Sequence, residues 1–132
     1  MMNETKQPLI SLVDDASCCR EALVSLLRSA GFQVEDFASA EDFLNSGRLR
    51  ETACLILDVR MPGMGGLELQ RRLAQTGYRI PIVFMSARAT DGEQRVAVER
   101  GAVDFLRKPF DDEVMLRAVL TAVADHRKEE QP

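Results

Sequence analysis

The sequence contains few of the residues that form disulfide frameworks, histidine-based metal sites and aromatic cofactor pockets. It has three cysteines, one histidine, one tyrosine and no tryptophan. The cysteines are odd in number and Cys18 and Cys19 are adjacent, which fits neither a disulfide framework nor the spacing of a metal site. We therefore expect reduced thiols, with Cys54 in a buried strand. The single histidine, His126, argues against a catalytic triad or a histidine-ligated metal.

Long apolar runs and an excess of positive charge are also absent. No apolar stretch approaches the roughly 18 residues of a membrane span, and no signal-peptide core follows the first methionines. A cytoplasmic protein without membrane contact is therefore expected. The net charge of -4 argues against a dedicated nucleic-acid surface, which is normally basic. The 132 residues predict a single domain.

A short apolar run that ends in an acid is the most informative stretch of the chain. Residues 53–57 are apolar and too few for a helix, so they predict a strand buried on both faces. Asp58 ends the run, and residues 61–66 form a loop rich in glycine and proline. In open α/β sheets, ligands bind at the carboxyl ends of the strands. Asp58 is therefore a candidate reactive carboxylate.

Three further apolar runs also lead into polar side chains. If all four runs are parallel strands of one sheet, their carboxyl ends meet at one edge. Three acids, a hydroxyl and an ammonium then gather there, a set that can hold a divalent cation and a phosphoryl group. The side chains are Asp14 and Asp15 after residues 9–13, Ser86 after residues 80–85, and Lys108 after residues 102–107.

Helical patterns alternate with these strands. Ser17 is predicted to cap a helix that ends at Gly31, and Ser39 to cap a short helix after a strand over residues 32–37. Strict alternation predicts an α/β fold, a doubly wound parallel sheet with helices on both faces. The remaining helices are predicted over residues 66–75, over residues 93–100 and from Asp111 onward. The predicted boundaries are a flexible terminus at 1–7, a domain at 8–126, and a tail or the start of a linker at 127–132.

With this order of motifs, the sequence resembles the receiver domain of two-component response regulators. The resemblance extends from about residue 8 to residue 126. The stretch 58–64 is most similar to receivers that precede a LuxR-type helix-turn-helix domain, as in the nitrogen-fixation regulators. The resemblance implies a flavodoxin-like (βα)5 fold with strand order 2-1-3-4-5. It is carried by Asp14-Asp15, Asp58 with Met61 to Gly66 behind it, Ser86, and Lys108-Pro109-Phe110.

The resemblance implies a magnesium site. Asp15 and Asp58 would bind Mg²⁺ directly, Asp14 would bind it through water, and the backbone carbonyl of Arg60 would complete the protein's ligands. Mg²⁺ prefers hard oxygen ligands and keeps several waters, which suits carboxylates and a carbonyl.

The resemblance also implies a phosphorylation-activated signalling switch. Asp58 would accept a phosphoryl group from a histidine kinase, Ser86 would hydrogen-bond one phosphoryl oxygen, and Lys108 would pair with another. Phe105 matches the aromatic position that turns inward when the loop after Ser86 moves. The chain would catalyse only its own phosphorylation and dephosphorylation. Arg60 and Arg88, two residues beyond Asp58 and Ser86, are expected to set the lifetime of the phosphorylated state, in a direction that the sequence leaves open.

The expected output is transcription, controlled through a DNA-binding domain that this chain does not contain. We also expect that the protein can form a homodimer on phosphorylation.

Two alternatives stay open: a stand-alone receiver, or a degenerate binding module that is not phosphorylated. A haloacid-dehalogenase-like phosphohydrolase needs a second acid two residues after its nucleophile, where Arg60 stands. A flavodoxin-like electron carrier needs aromatic residues around the flavin, and Tyr78 is the single tyrosine.

Overall fold

The computed structural model describes the backbone of residues 7–130 and the side chains of residues 7–127. Strands and helices alternate along this part of the chain, as the apolar patterns predict. The predicted flexible terminus falls almost entirely on residues 1–6, which lie outside the described residues. The elements are β1 Leu9–Val13, α1 Ser17–Ser29, β2 Gln33–Phe37, α2 Ala40–Leu44, β3 Thr52–Asp58, α3 Gly66–Thr76, β4 Ile82–Ser86, α4 Asp91–Glu99, β5 Asp104–Arg107 and α5 Asp112–Glu130.

The five strands form one parallel sheet in the order β2-β1-β3-β4-β5. This confirms both the predicted α/β class and the implied strand order. All residues of β1, β3 and β4 are buried, because helices cover both faces of these three central strands. The carboxyl ends of all five strands therefore lie along one edge of the sheet.

The sheet separates two apolar cores. One contains Leu27 of α1 together with Met115 and Val119 of α5. The other contains Phe43 of α2 and Leu69 of α3, which pack on the opposite face together with the buried part of α4. Within the described residues, no helix is both long and apolar enough to cross a membrane.

Two predicted helix starts differ from the structure. Ala16, not Ser17, is the N-cap of α1, because the side chain of Asp14 accepts the Ala16 N–H and Ser17 is already helical. Helix α4 starts at Asp91, two residues earlier than predicted, because Thr90 caps it. Helix α5 continues to Glu130, so residues 127–130 of the predicted tail are helical.

Candidate functional site

Asp14 and Asp58 lie side by side because β1 and β3 are neighbouring parallel strands. Val13 pairs with Leu57, and each acid is the next residue of its chain. Carboxylate oxygens of Asp14, Asp15 and Asp58 all lie within 4.8 Å of one another. Asp14 is fully buried and Asp58 is nearly so, whereas Asp15 is exposed. The predicted gathering of acids at one edge of the sheet is therefore present, with one side open to solvent.

The ammonium of Lys108 lies against two of these acids. Its Nζ donates to Asp58 Oδ2 at 3.1 Å and to Asp14 Oδ2 at 3.3 Å. Lys108 reaches them because it follows β5, and its N–H donates to the carbonyl of Ser86 at the end of β4. The Lys108–Pro109 peptide is cis. The structure thus brings together residues that are up to 94 positions apart in the sequence.

Burial and charge act in opposite directions on the acid and the base of this pair. Burial raises the pKa of Asp58 above its ordinary value, although the Arg60 N–H and the Lys108 ammonium both oppose the shift. Burial alone would lower the pKa of Lys108, but the carboxylates of Asp58 and Asp14 raise it. Lys108 is therefore a fixed positive charge at neutral pH, and Asp58 is a more basic carboxylate than an exposed aspartate.

The donor set fits a hard divalent cation. Three carboxylates offer the oxygen ligands that Mg²⁺ prefers, and the exposed Asp15 leaves space for the waters that this ion keeps. The backbone of Arg60 also lies at the site, since its N–H donates to Asp58 Oδ1 at 3.0 Å. A bound cation would compete with the Lys108 ammonium for Asp58.

The loop after Asp58 is held close to the strand by glycine. The Gly66 N–H donates to the Val59 carbonyl at 2.9 Å. A Cβ at Gly66 would lie 2.3 Å from the carbonyl oxygen of Asp58, which is closer than real atoms approach. Glycine at position 66 is thus required for the backbone that positions Asp58. The sequence marks this residue only as part of a glycine-rich loop, because close approach is visible only in three dimensions.

Ser86 ends β4, next to the acidic cluster. Met85 pairs with Asp58 in the sheet, so Ser86 lies one residue beyond it at the same edge. Its hydroxyl oxygen accepts the Arg88 N–H at 3.1 Å, which leaves the hydroxyl hydrogen available to an acceptor. The side chain of Arg88 is exposed. Ser86 therefore lies at the edge of the sheet that carries the acids, as the sequence predicts.

Phe105 of β5 is buried. Its ring stacks on Phe84, with the centroids 5.9 Å apart, and the Arg107 guanidinium lies over the ring, 5.9 Å from its centroid. The ring of Phe105 is therefore packed in the interior in this structure, and its role in a switch stays a prediction.

Arg60 and Arg107 both form hydrogen bonds at the start of α4, which the sequence does not predict. Arg60 Nη2 donates to Glu93 Oε1 at 2.9 Å. Arg107 donates to the Ala89 carbonyl at 2.7 Å and to Gln94 Oε1 at 2.8 Å. These contacts join residues 13 to 33 positions apart, so no local pattern indicates them. The capping pair Thr90 and Glu93 does carry a signal, a threonine three residues before a glutamate.

Comparison with known families gives a match over most of the chain. Residues 10–120 match the model of the response regulator receiver domain. The response regulator protein TmoT of Ectopseudomonas mendocina is 45% identical over 133 residues, which cover 99% of this chain and 60% of TmoT. The transcriptional regulatory protein TdiR of Thauera aromatica is 40% identical over 119 residues, covering 90% of this chain and 52% of TdiR. The chain thus spans little more than half the length of these relatives.

Comparison with solved structures agrees with this match. The crystal structure of FixJ-N superposes with a TM-score of 0.82 at 34% identity, and the alignment covers 91% of this chain and 96% of that one. The low-resolution structure of the response regulator StyR superposes with a TM-score of 0.85 at 40% identity, covering 96% of this chain and 64% of that one.

Proposed function

Because the chain belongs to the response regulator receiver family, we propose that it is a phosphorylation-activated switch in which Asp58 accepts a phosphoryl group from a histidine kinase. One observation carries the proposal. Three carboxylate oxygens lie within 4.8 Å of one another, and the Lys108 ammonium contacts two of the carboxylates. Asp14 and Asp58 each accept a backbone N–H in a turn, but turn formation alone does not require several carboxylates to lie together, because like charges at this distance repel.

The acidic cluster would hold Mg²⁺ as the cofactor. Asp15, Asp58 and the backbone carbonyl of Arg60 would bind it directly, and Asp14 would bind it through water. When bound, the ion supplies positive charge that offsets the repulsion between the carboxylates and an incoming phosphoryl group. Lys108 would contribute to the same neutralisation as a point charge held by hydrogen bonds to Asp14 and Asp58.

Asp58 acts as the nucleophile. One of its carboxylate oxygens forms a bond to phosphorus while the bond between phosphorus and the imidazole nitrogen of the kinase's phosphohistidine breaks, and the bonding electrons stay on the imidazole. The product is an aspartyl phosphate, a known type of covalent intermediate. The Arg60 N–H fixes Asp58 Oδ1 at 3.0 Å, so the carboxylate is oriented before the donor arrives.

The signal passes through the end of β4. The Ser86 hydroxyl donates its hydrogen to a phosphoryl oxygen and draws the loop that follows toward Asp58. Phe105 fills the space beneath that loop, and its buried position on Phe84 is the one that this movement favours. Such a change needs only a few kcal/mol of differential contact to shift a two-state equilibrium.

The chain catalyses only its own phosphorylation and dephosphorylation, and its output is transcription through a DNA-binding domain that is separate from the receiver domain. The similarity to the transcriptional regulatory protein TdiR, of which the match covers 52%, supports this output. A homodimer that forms on phosphorylation and a cytoplasmic location complete the proposal.

Intact-mass measurement after incubation with phosphoramidate tests the proposed activity. The expected result is a gain of one phosphoryl group that requires Mg²⁺ and is lost with a chelator. Asp58→Asn should abolish the gain, whereas Asp125→Asn, which changes an exposed acid on α5, should not. Equal phosphorylation of wild type and Asp58→Asn, or no phosphorylation of wild type, would contradict the proposal.

A further inference from the structure

The partly exposed side chain of Arg60 has a specific partner on α4. Its Nη2 donates to Glu93 Oε1 at 2.9 Å, and the Thr90 N–H donates to the same oxygen at 2.9 Å. Glu93 therefore binds the arginine and caps the helix with a single carboxylate oxygen. Its N–H in turn donates to Thr90 Oγ1 at 3.1 Å, which completes the capping box. A movement of Arg60 thus acts directly on the first turn of α4.

Arg60 is also tied to the phosphoryl-acceptor position through its backbone. Its N–H donates to Asp58 Oδ1 at 3.0 Å, so the residue that binds α4 also orients the acidic side chain. The Arg60 side chain is 51% exposed and that of Glu93 is 28% exposed, so their ion pair is partly hydrated and weak enough to be exchanged. A phosphoryl group carries more charge than a carboxylate and matches the guanidinium geometry at least as well.

From these contacts we propose that Glu93 is a positioning residue and competes with the phosphoryl group on Asp58 for the guanidinium of Arg60. This inference rests on the proposed function, and it goes beyond it by naming the residue that links the acidic site to α4. Without a phosphoryl group, Arg60 binds Glu93 and stabilises the first turn of α4. With one, Arg60 moves to the phosphoryl oxygens, and the start of α4 loses one of its two arginine contacts.

The second contact limits how far the helix can move. Arg107 binds the Ala89 carbonyl and Gln94 Oε1 from β5 and is not linked to Asp58. Release of Arg60 therefore removes a positive charge and a hydrogen bond from Glu93 in the first turn, while Arg107 stays bound to Ala89 and Gln94. The exchange acts as a local adjustment of α4 rather than as unfolding of the helix.

Calorimetric titration with beryllofluoride in the presence of Mg²⁺, a mimic of the phosphoryl group, tests the competition. Glu93→Gln keeps the shape of the side chain and can still cap the helix, but it removes the charge that holds Arg60. Affinity for Mg²⁺-beryllofluoride should rise about two- to five-fold, the range expected from an exposed ion pair. Arg60→Gln should lower the affinity, and adding Glu93→Gln to Arg60→Gln should then have no effect.

Three controls separate competition from simpler explanations. Glu99→Gln makes the same charge change at the exposed end of α4 and should leave the affinity unchanged. Thr90→Ala weakens the cap but keeps the ion pair, so it should not reproduce the effect of Glu93→Gln. The affinity of Glu93→Gln for Mg²⁺ alone should equal that of Glu99→Gln.

The outcomes distinguish this inference from the proposed function. If wild type does not bind beryllofluoride with Mg²⁺, or Asp58→Ala binds it equally well, the proposed function fails. If wild type binds beryllofluoride but Glu93→Gln leaves its affinity unchanged, the competition is refuted while the proposed function stands. The same conclusion follows if Glu93→Gln raises the affinity by the same factor in wild type and in the Arg60→Gln variant. A rise that depends on Arg60 supports the inference.

Discussion

Replacing Lys108 with methionine should destabilise the protein when no divalent cation is bound. The ammonium contacts Asp58 Oδ2 at 3.1 Å and Asp14 Oδ2 at 3.3 Å, and the side chain of Asp14 has no exposed surface. Methionine fills a similar space without charge, so the two buried carboxylates would face each other without a compensating cation. Each would lose a charged hydrogen-bond donor as well.

The size of the effect follows from the burial of the three side chains. Removing one partner of a fully buried ion pair costs about 3–5 kcal/mol, and an exposed pair contributes about 0–1 kcal/mol. The exposed fractions are 20% for Lys108, 12% for Asp58 and 0% for Asp14, so the site lies nearer the buried limit. We expect a loss of about 2–3 kcal/mol, because Asp58 can take up a proton or water instead. For a domain of this length, this loss lowers the Tm by about 7–11 °C.

Thermal denaturation of Lys108→Met with chelator, compared with wild type, measures this loss. The difference should narrow as the pH falls, because protonation of Asp58 removes the repulsion, and Mg²⁺ should restore much of the stability of the variant. Arg95→Met removes a cation from an exposed position on α4 and should change stability by no more than about 0.5 kcal/mol. A Lys108→Met variant as stable as wild type in chelator at neutral pH would refute the electrostatic account of the cluster.

Three further predictions concern the loop, the surface and the hydroxyl. Gly66→Ala should lower the free energy of unfolding, measured with denaturant, by about 1–3 kcal/mol, because its Cβ would lie 2.3 Å from the carbonyl oxygen of Asp58. The control Gly92→Ala, whose Cβ would make only a 3.8 Å contact, should not destabilise the protein. Hydrogen bonds from Arg71 and Arg72 lower the pKa of Glu68 to about 2. The contribution of Glu68 to the stability of the protein should therefore be present above pH 4.5 and be lost as the pH falls toward 2, and Glu68→Gln should not show this loss. Ser86→Ala should weaken binding of Mg²⁺-beryllofluoride in calorimetry but leave binding of Mg²⁺ alone unchanged; equal losses of both would contradict its assignment to the phosphoryl group.

The sheet could be predicted because its signals are local. The buried strands β1, β3 and β4 are short, mostly apolar runs that lead into polar residues, a pattern that is typical of strands buried on both faces. Parallel pairing then brings their carboxyl ends together, so the neighbouring positions of Asp14, Asp58 and Lys108 follow from topology. The cluster of acids and the ammonium could therefore be predicted without knowing the side-chain geometry.

The start of α4 was less predictable because the helix has little apolar pattern. Only Ala97 of this helix is buried, so hydrophobic periodicity could not locate its first turn. The capping signature of Thr90 and Glu93 was present and would have placed the boundary correctly. The contacts of Arg60 and Arg107 with this turn arise from the tertiary fold and have no counterpart in the local sequence.

The start of α1 shows how an acid of the cluster can override a local preference. Serine is a common N-cap, and Ser17 stands before the first apolar residues of the helix. In the structure, Asp14 accepts the Ala16 N–H and Ala16 takes the cap position. The acid that forms part of the cluster thus also sets the turn between β1 and α1.

Identification of the phosphorylated residue tests the central claim most directly. After incubation with phosphoramidate and Mg²⁺, reduction with borohydride converts an aspartyl phosphate to homoserine, and peptide mass spectrometry then locates the altered residue. The account predicts homoserine at position 58 and none at Asp14 or Asp15. Modification of another residue, such as a phosphoryl group on His126, with position 58 unchanged, would contradict it.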